Sequence, residues 1–115
     1  MGYPMRYIKI DSLPDEPGVH NPEISKKTIC REDDLPNIIN FGLVTYKPGQ
    51  IVDAHSHENF YEVFYFNSGK GVIRVNGMEY SIQPDVCILL EPNDIHEMIN
   101  SGDEDLQHLF FQVRI

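Results

Sequence analysis

The sequence predicts an all-β domain, and three observations carry that expectation. Short runs rich in Val, Ile, Phe and Tyr recur about every ten residues, the spacing of a sandwich or barrel. Turn residues stand between successive runs, among them Lys47-Pro48-Gly49-Gln50, Asn67-Ser68-Gly69, Asn76-Gly77 and Gln83-Pro84-Asp85. No stretch spaces its apolar residues as an amphipathic helix does. The 115 residues are expected to form one domain with a core of its own.

Taken in order, Tyr7–Ile10 has the composition of a short strand. Residues 11–22 hold Pro14, Pro17, Gly18 and Pro22 among acids and are expected to be loop. Ser25–Cys30 reads as a strand, and Arg31–Pro36 as a polar loop that stops at its proline. These residues, 1–37, form an N-terminal arm expected to pack on the remainder of the chain or on a partner. From Ile38 the character changes. Ile38–Tyr46 is rich in β-branched and aromatic residues, and a Pro-Gly turn follows it. Later strands are expected at Glu62–Phe66, Val72–Val75, Met78–Ile82, Val86–Leu90, Ile95–Asn100 and Leu106–Ile115. Asn76-Gly77 is a strong signal for a two-residue hairpin.

Gly49–Gly69 carries the chemistry. His55 and His57 lie one residue apart, so on a strand they point the same way. If the chain turns back through His57–Phe60, Glu62 can face both rings, with Phe64 and Phe66 on the same inward face. Imidazoles and a carboxylate suit a divalent transition metal, and one more ligand is expected from elsewhere. Paired histidines also occur in amidohydrolase barrels, but those need a far longer chain.

Gly49-x5-His55-x-His57-x4-Glu62-x6-Gly69 resembles the first signature motif of the cupins at every fixed position. Asp85-x5-Glu91-x-Asn93-x2-His96-x3-Asn100 resembles the second in part: Asp85, Glu91 and Asn93 replace Gly, Pro and Gly. Asn tolerates a left-handed turn, so Asn93 is a mild change. The resemblance covers about residues 38–115 and implies a double-stranded β-helix, a jelly-roll barrel. It implies that His55, His57, Glu62 and His96 coordinate one divalent metal ion: Fe, Mn, Ni, Zn or Cu. His96 facing inward places Met98 inward too. A metal-dependent enzyme on a small oxygen-bearing metabolite is the expectation, of dioxygenase, decarboxylase, isomerase or lyase type. The alternative is a non-catalytic binding or sensing module whose metal anchors a ligand.

Around this centre, His108 is a candidate acid or base on the last strand, and Tyr46 a second candidate catalytic group. Gln50 and Tyr61 border the metal stretch and are candidate ligand contacts. Glu91 reads as a solvated loop acid, and His20, in the Pro-rich loop, is given no role. The net charge of −9, with no basic cluster, argues against nucleic acid and anionic membranes as partners. No apolar run reaches the length of a membrane span. Neither a signal peptide nor a myristoylation site at Gly2 is read at the start of the chain. Cys30 and Cys87 are isolated, which points to reduced thiols and a cytoplasmic location, with Cys87 expected to be buried. A homodimer is expected, because sheet edges and the arm need covering.

Overall fold

A computed structural model describes residues 5–115. The leader and Gly2 readings fall on Met1–Pro4, outside the described residues. Ten strands run in the order β1 (Glu16–Pro17), β2 (Ser25–Cys30), β3 (Ile38–Tyr46), β4 (Ile51–His55), β5 (Phe60–Ser68), β6 (Gly71–Val75), β7 (Met78–Ile82), β8 (Cys87–Leu90), β9 (His96–Ile99) and β10 (Leu106–Arg114). They form two antiparallel sheets. One has the order β1-β2-β3-β10-β5-β8 and the other β4-β9-β6-β7. The expected all-β class and the jelly-roll arrangement of two facing sheets are what the chain adopts.

Alternation decides which side chains the sheets enclose. Strand β5 buries Glu62, Phe64 and Phe66 and exposes Tyr61 and Tyr65. Strand β9 buries His96 and Met98. Register then stacks the inner face of the larger sheet in rows. Glu62, Gln112 and Asn40 align across β5, β10 and β3; Phe64, Phe110 and Gly42 follow; Phe66, His108 and Val44 come next. Gly42 leaves the room that Phe110 fills, since a Cβ there would lie 3.0 Å from the ring. Phe66, Ile73 and Leu106 are fully enclosed. Burying one such side chain contributes about 1.5–3 kcal/mol.

The turns explain the motif's glycines and their replacements. Gly49, Gly69, Asp85 and Asn93 all have positive φ, between 69° and 89°. Gly69 is held by sterics as well, because a Cβ would sit 2.4 Å from the Asp105 carbonyl oxygen. Asp85 and Asn93 adopt the left-handed conformation that short polar side chains tolerate, so the turns of the second motif survive without its glycines.

Three local expectations are corrected. Residues 7–9 form no strand; a 3-10 turn over Ile10–Ser12 stands near there, and Met5–Lys9 are exposed. Its apolar residues have no neighbouring strand to pair with. Inside the Pro-rich loop, Glu16–Pro17 pairs with Ser25–Lys26 at the sheet edge, where a proline removes no interior ladder bond. Cys30 is buried but Cys87 is exposed, both as free thiols. Strand β8 is an edge strand whose Ile88 and Leu90 turn inward, leaving Cys87 on the outer face.

Candidate metal centre

His55 closes β4 and pairs with His96, the first residue of β9, beyond a register shift after Val52. His57 lies past the strand end, just before the bend at residues 58–59 that leads into β5. His55 therefore comes from the strand and His57 from the irregular segment that continues it. Asn93 N–H donates to the His57 carbonyl at 2.6 Å, tying the loops of the two motifs. Ring centroids are 5.0 Å apart for His55 and His57, 4.2 Å for His55 and His96, and 5.6 Å for His57 and His96.

Glu62 Oε1 lies 3.5 Å from His57 Nε2 and 3.6 Å from His96 Nε2. These groups are not an ion pair. Burial, aided by the neighbouring histidines, lowers His57 to about 4 and His96 to about 4, so both rings are neutral at neutral pH. Burial raises Glu62 to about 7, against a side-chain hydrogen bond from Gln112. That bond runs from Gln112 Nε2 to Glu62 Oε2 at 2.8 Å.

Hydrogen bonds behind the rings fix which nitrogens face the cavity. A carbonyl can only accept, so Nδ1–H of His55 donates to Asp53 O at 2.8 Å and Nδ1–H of His96 to Asp94 O at 3.1 Å. The lone pair of each ring then sits on Nε2. Glu62 Oε1 and His96 Nε2 are buried and have no hydrogen-bond partner. Bare buried acceptors cost on the order of 1–3 kcal/mol each. A cation between them removes that cost, and donors at about 2.0–2.2 Å from one ion produce separations of this size. The residues present fit a divalent metal.

The donors fall into two groups, each with its ligand atoms within 4.8 Å of one another: His57, Glu62 and His96, and His20, His55 and His57. His20 is the residue the sequence did not reveal. It comes from the loop between β1 and β2 and stacks on His55 with centroids 3.7 Å apart. The centre opens into a cavity of about 370 Å³, lined on its far side by Tyr46, Phe64, His108 and Phe110.

Tyr46 and His108 reach this wall engaged with each other. His108 Nδ1–H donates to Leu109 O at 3.2 Å, so Nε2 accepts from the Tyr46 hydroxyl, also at 3.2 Å. Burial lowers His108 to about 4 and raises the Tyr46 hydroxyl. Gln50 is used in its turn, accepting from Lys47 N–H at 2.8 Å and donating to Glu23 O at 3.1 Å. Tyr61 faces outward at 45% exposure, and Glu91 is an exposed loop acid. Asn100, fully buried, donates to Tyr46 O and Glu104 O and braces the strand ends. Lys26, on β2, is a further cavity-lining residue not singled out by its sequence position.

A family model described as "Cupin domain" matches residues 42–111. The oxalate-binding protein of Thermotoga maritima is 34% identical over 70 residues, 60% of this chain and 57% of that protein. The match thus spans little more than half of that relative's length. Among solved structures, a protein of Thermotoga maritima described as a predicted oxalate decarboxylase superposes with a TM-score of 0.89. It is 19% identical, covering 96% of this chain and 100% of that one. The Cnp3 cupin domain of Schizosaccharomyces pombe superposes with a TM-score of 0.80 at 14% identity, covering 93% and 72%. Both structural likenesses speak to the fold.

Proposed function

This chain belongs to the cupin domain family, and we propose that it holds one divalent transition metal ion through His55, His57, Glu62 and His96 and binds a small carboxylate on it. The observation that carries this reading is the pair of bare buried atoms, Glu62 Oε1 and His96 Nε2, facing one another across a gap. Nitrogen and oxygen donors without thiolate suit Fe, Mn, Ni, Cu or Zn. A bound ion would supply Lewis acidity toward ligand oxygens.

The chain's own residues define the ligand's room. Phe64, Met98 and Phe110 give the cavity apolar walls, which suit a small organic molecule. Lys26 brings a cation into the same cavity, its Nζ 6.0 Å from the Phe110 ring centroid. No acid lies within ion-pairing distance of it among the described residues. A carboxylate with one end at the centre and another toward Lys26 answers both features. The names of two relatives, an oxalate-binding protein and a predicted oxalate decarboxylase, support the same ligand class.

Binding is favoured over acid–base catalysis because the polar atoms of His108 and Tyr46 are occupied by each other and by Leu109 O. A catalytic reading, of decarboxylase, dioxygenase, isomerase or lyase type, keeps one support: this pair lines the cavity and can hold a proton at Tyr46 Oη. The arm, residues 1–37, serves the barrel, residues 38–115, by covering its β3 edge with β2. The free thiols support a reducing, cytoplasmic setting. The apolar outer groove of Phe41, Tyr65, Leu109 and Phe111 supports a homodimer.

Elemental analysis of chelator-free protein, with oxalate titrated into it, tests the central reading. His55→Ala and His96→Ala are each expected to lose the metal and the oxalate response. Stoichiometric Mn(II), an ion that calls for the Glu62 carboxylate, in either variant would refute the ligand set.

A further inference from the structure

His20 sits where an idle loop histidine would not. Its ring lies 3.7 Å from that of His55 and 5.5 Å from that of His57, centroid to centroid. Its loop is built, not draped. Gly18 N–H donates to Ile24 O at 2.8 Å and Ile24 N–H to Asn21 O at 3.1 Å. Asn21 Nδ2 donates to Ile51 O of β4 at 2.9 Å, and Ile24 is buried in the core. Strand β4 also carries His55, so one tether sets the distance between the two rings.

We propose that the cavity mouth carries a second, outer cation site formed by His20, His55 and His57. It rests on the inner site proposed above, with which it shares His55 and His57. A neutral imidazole has one lone pair, so His55 and His57 each serve one ion at a time and the two sites compete for them. Their chemistry differs. The outer group is three imidazoles; the inner group includes the Glu62 carboxylate. Imidazole favours Zn(II), Ni(II) and Cu(II), whereas a carboxylate is needed for good Mn(II) binding. The arm thereby gives the protein a station for late transition ions.

Chelator competition on the metal-free full chain separates the sites, using Zn(II) and Mn(II) as probes against wild type, His20→Ala and Glu62→Gln. His20 is exposed, and an unchanged thermal midpoint of the metal-free variant confirms that the fold is intact. His20→Ala is expected to lose about tenfold or more in Zn(II) affinity while Mn(II) binding stays within about twofold, and Glu62→Gln to lose mainly Mn(II). Asn21→Ala, which cuts the tether and removes no donor, is expected to lose Zn(II) affinity more than Mn(II). Equal loss of both ions in His20→Ala, or no loss of Zn(II), overturns the outer site. Wild type that binds Zn(II) through His20 but no Mn(II) refutes the inner site and leaves the outer one standing.

Discussion

Gln112 donates to one oxygen of Glu62 and leaves the other bare. The two residues face each other across β10 and β5 in register, so the sheet itself aims the carboxylate. One oxygen is spent on orientation and the second is left free to meet a cation.

Gln112→Ala should therefore weaken metal binding without removing a ligand. Outer partners of ligating groups are worth about 10–100-fold in affinity. Metal titration against a competing chelator would show the loss, and an unchanged affinity would mean that packing alone orients Glu62.

Metal affinity should depend on pH through Glu62 first. Its carboxyl is held up to about 7 by burial, while His57 and His96 are held down to about 4. Between these values the histidines are already free of protons and Glu62 is not. Each ion bound should displace the Glu62 proton below pH 7, and that proton alone lowers affinity about tenfold per pH unit there. Calorimetry in buffers of different ionisation enthalpy reads the proton count directly.

The metal-free protein should lose stability on acidification, and His108 should account for one proton of that loss. Its folded pKa of about 4 lies below the unfolded value of about 6.5. Between the two, the unfolded chain binds more protons, so stability falls as pH falls. Glu62 acts with opposite sign, its contribution being present below about 4.5 and lost as pH rises through about 7. His108→Gln should be less stable at pH 7 and should flatten the acid slope by about 1.4 kcal/mol per pH unit. Urea unfolding between pH 5 and 7 measures both.

A second copy of the chain on the outer face of the six-stranded sheet should be separable from the metal centre. Phe41 and Phe111 meet edge to face at 6.1 Å in a groove with Leu109 and Tyr65. Sedimentation should show a dimer for wild type and a monomer for Leu109→Asp, with metal affinity kept. A wild-type monomer at high concentration would remove the dimer.

Strands and the inward side chains of β5 were legible because local rules govern them. Alternation along β5 correctly enclosed Glu62, Phe64 and Phe66; on β9 the resemblance pointed His96 inward, and alternation then enclosed Met98. Spacing brought out the two histidines, although only His55 lies within a strand and His57 just beyond its end. What stayed hidden depends on contacts between distant segments. Nothing around His20 marks it until Asn21 is tied to Ile51, thirty positions away. Lys26 sits in a strand of mixed character and shows its direction only once β2 is paired to β3. Cys87 shares an apolar run with buried neighbours, and its exposure follows from the position of β8 at the sheet edge.

Strand β2 and the loop before it bring both His20 and Lys26 to a cavity whose inner donors all come from β4 to β9. The two contributions are thus carried on non-overlapping stretches of chain. Exposed positions of residues 18–26 can be varied around a kept Asn21 and Ile24 while the second half of the cage is left untouched. Under the proposed reading such changes would retune which ion and which carboxylate are accepted, and would leave intact the turns that make the barrel.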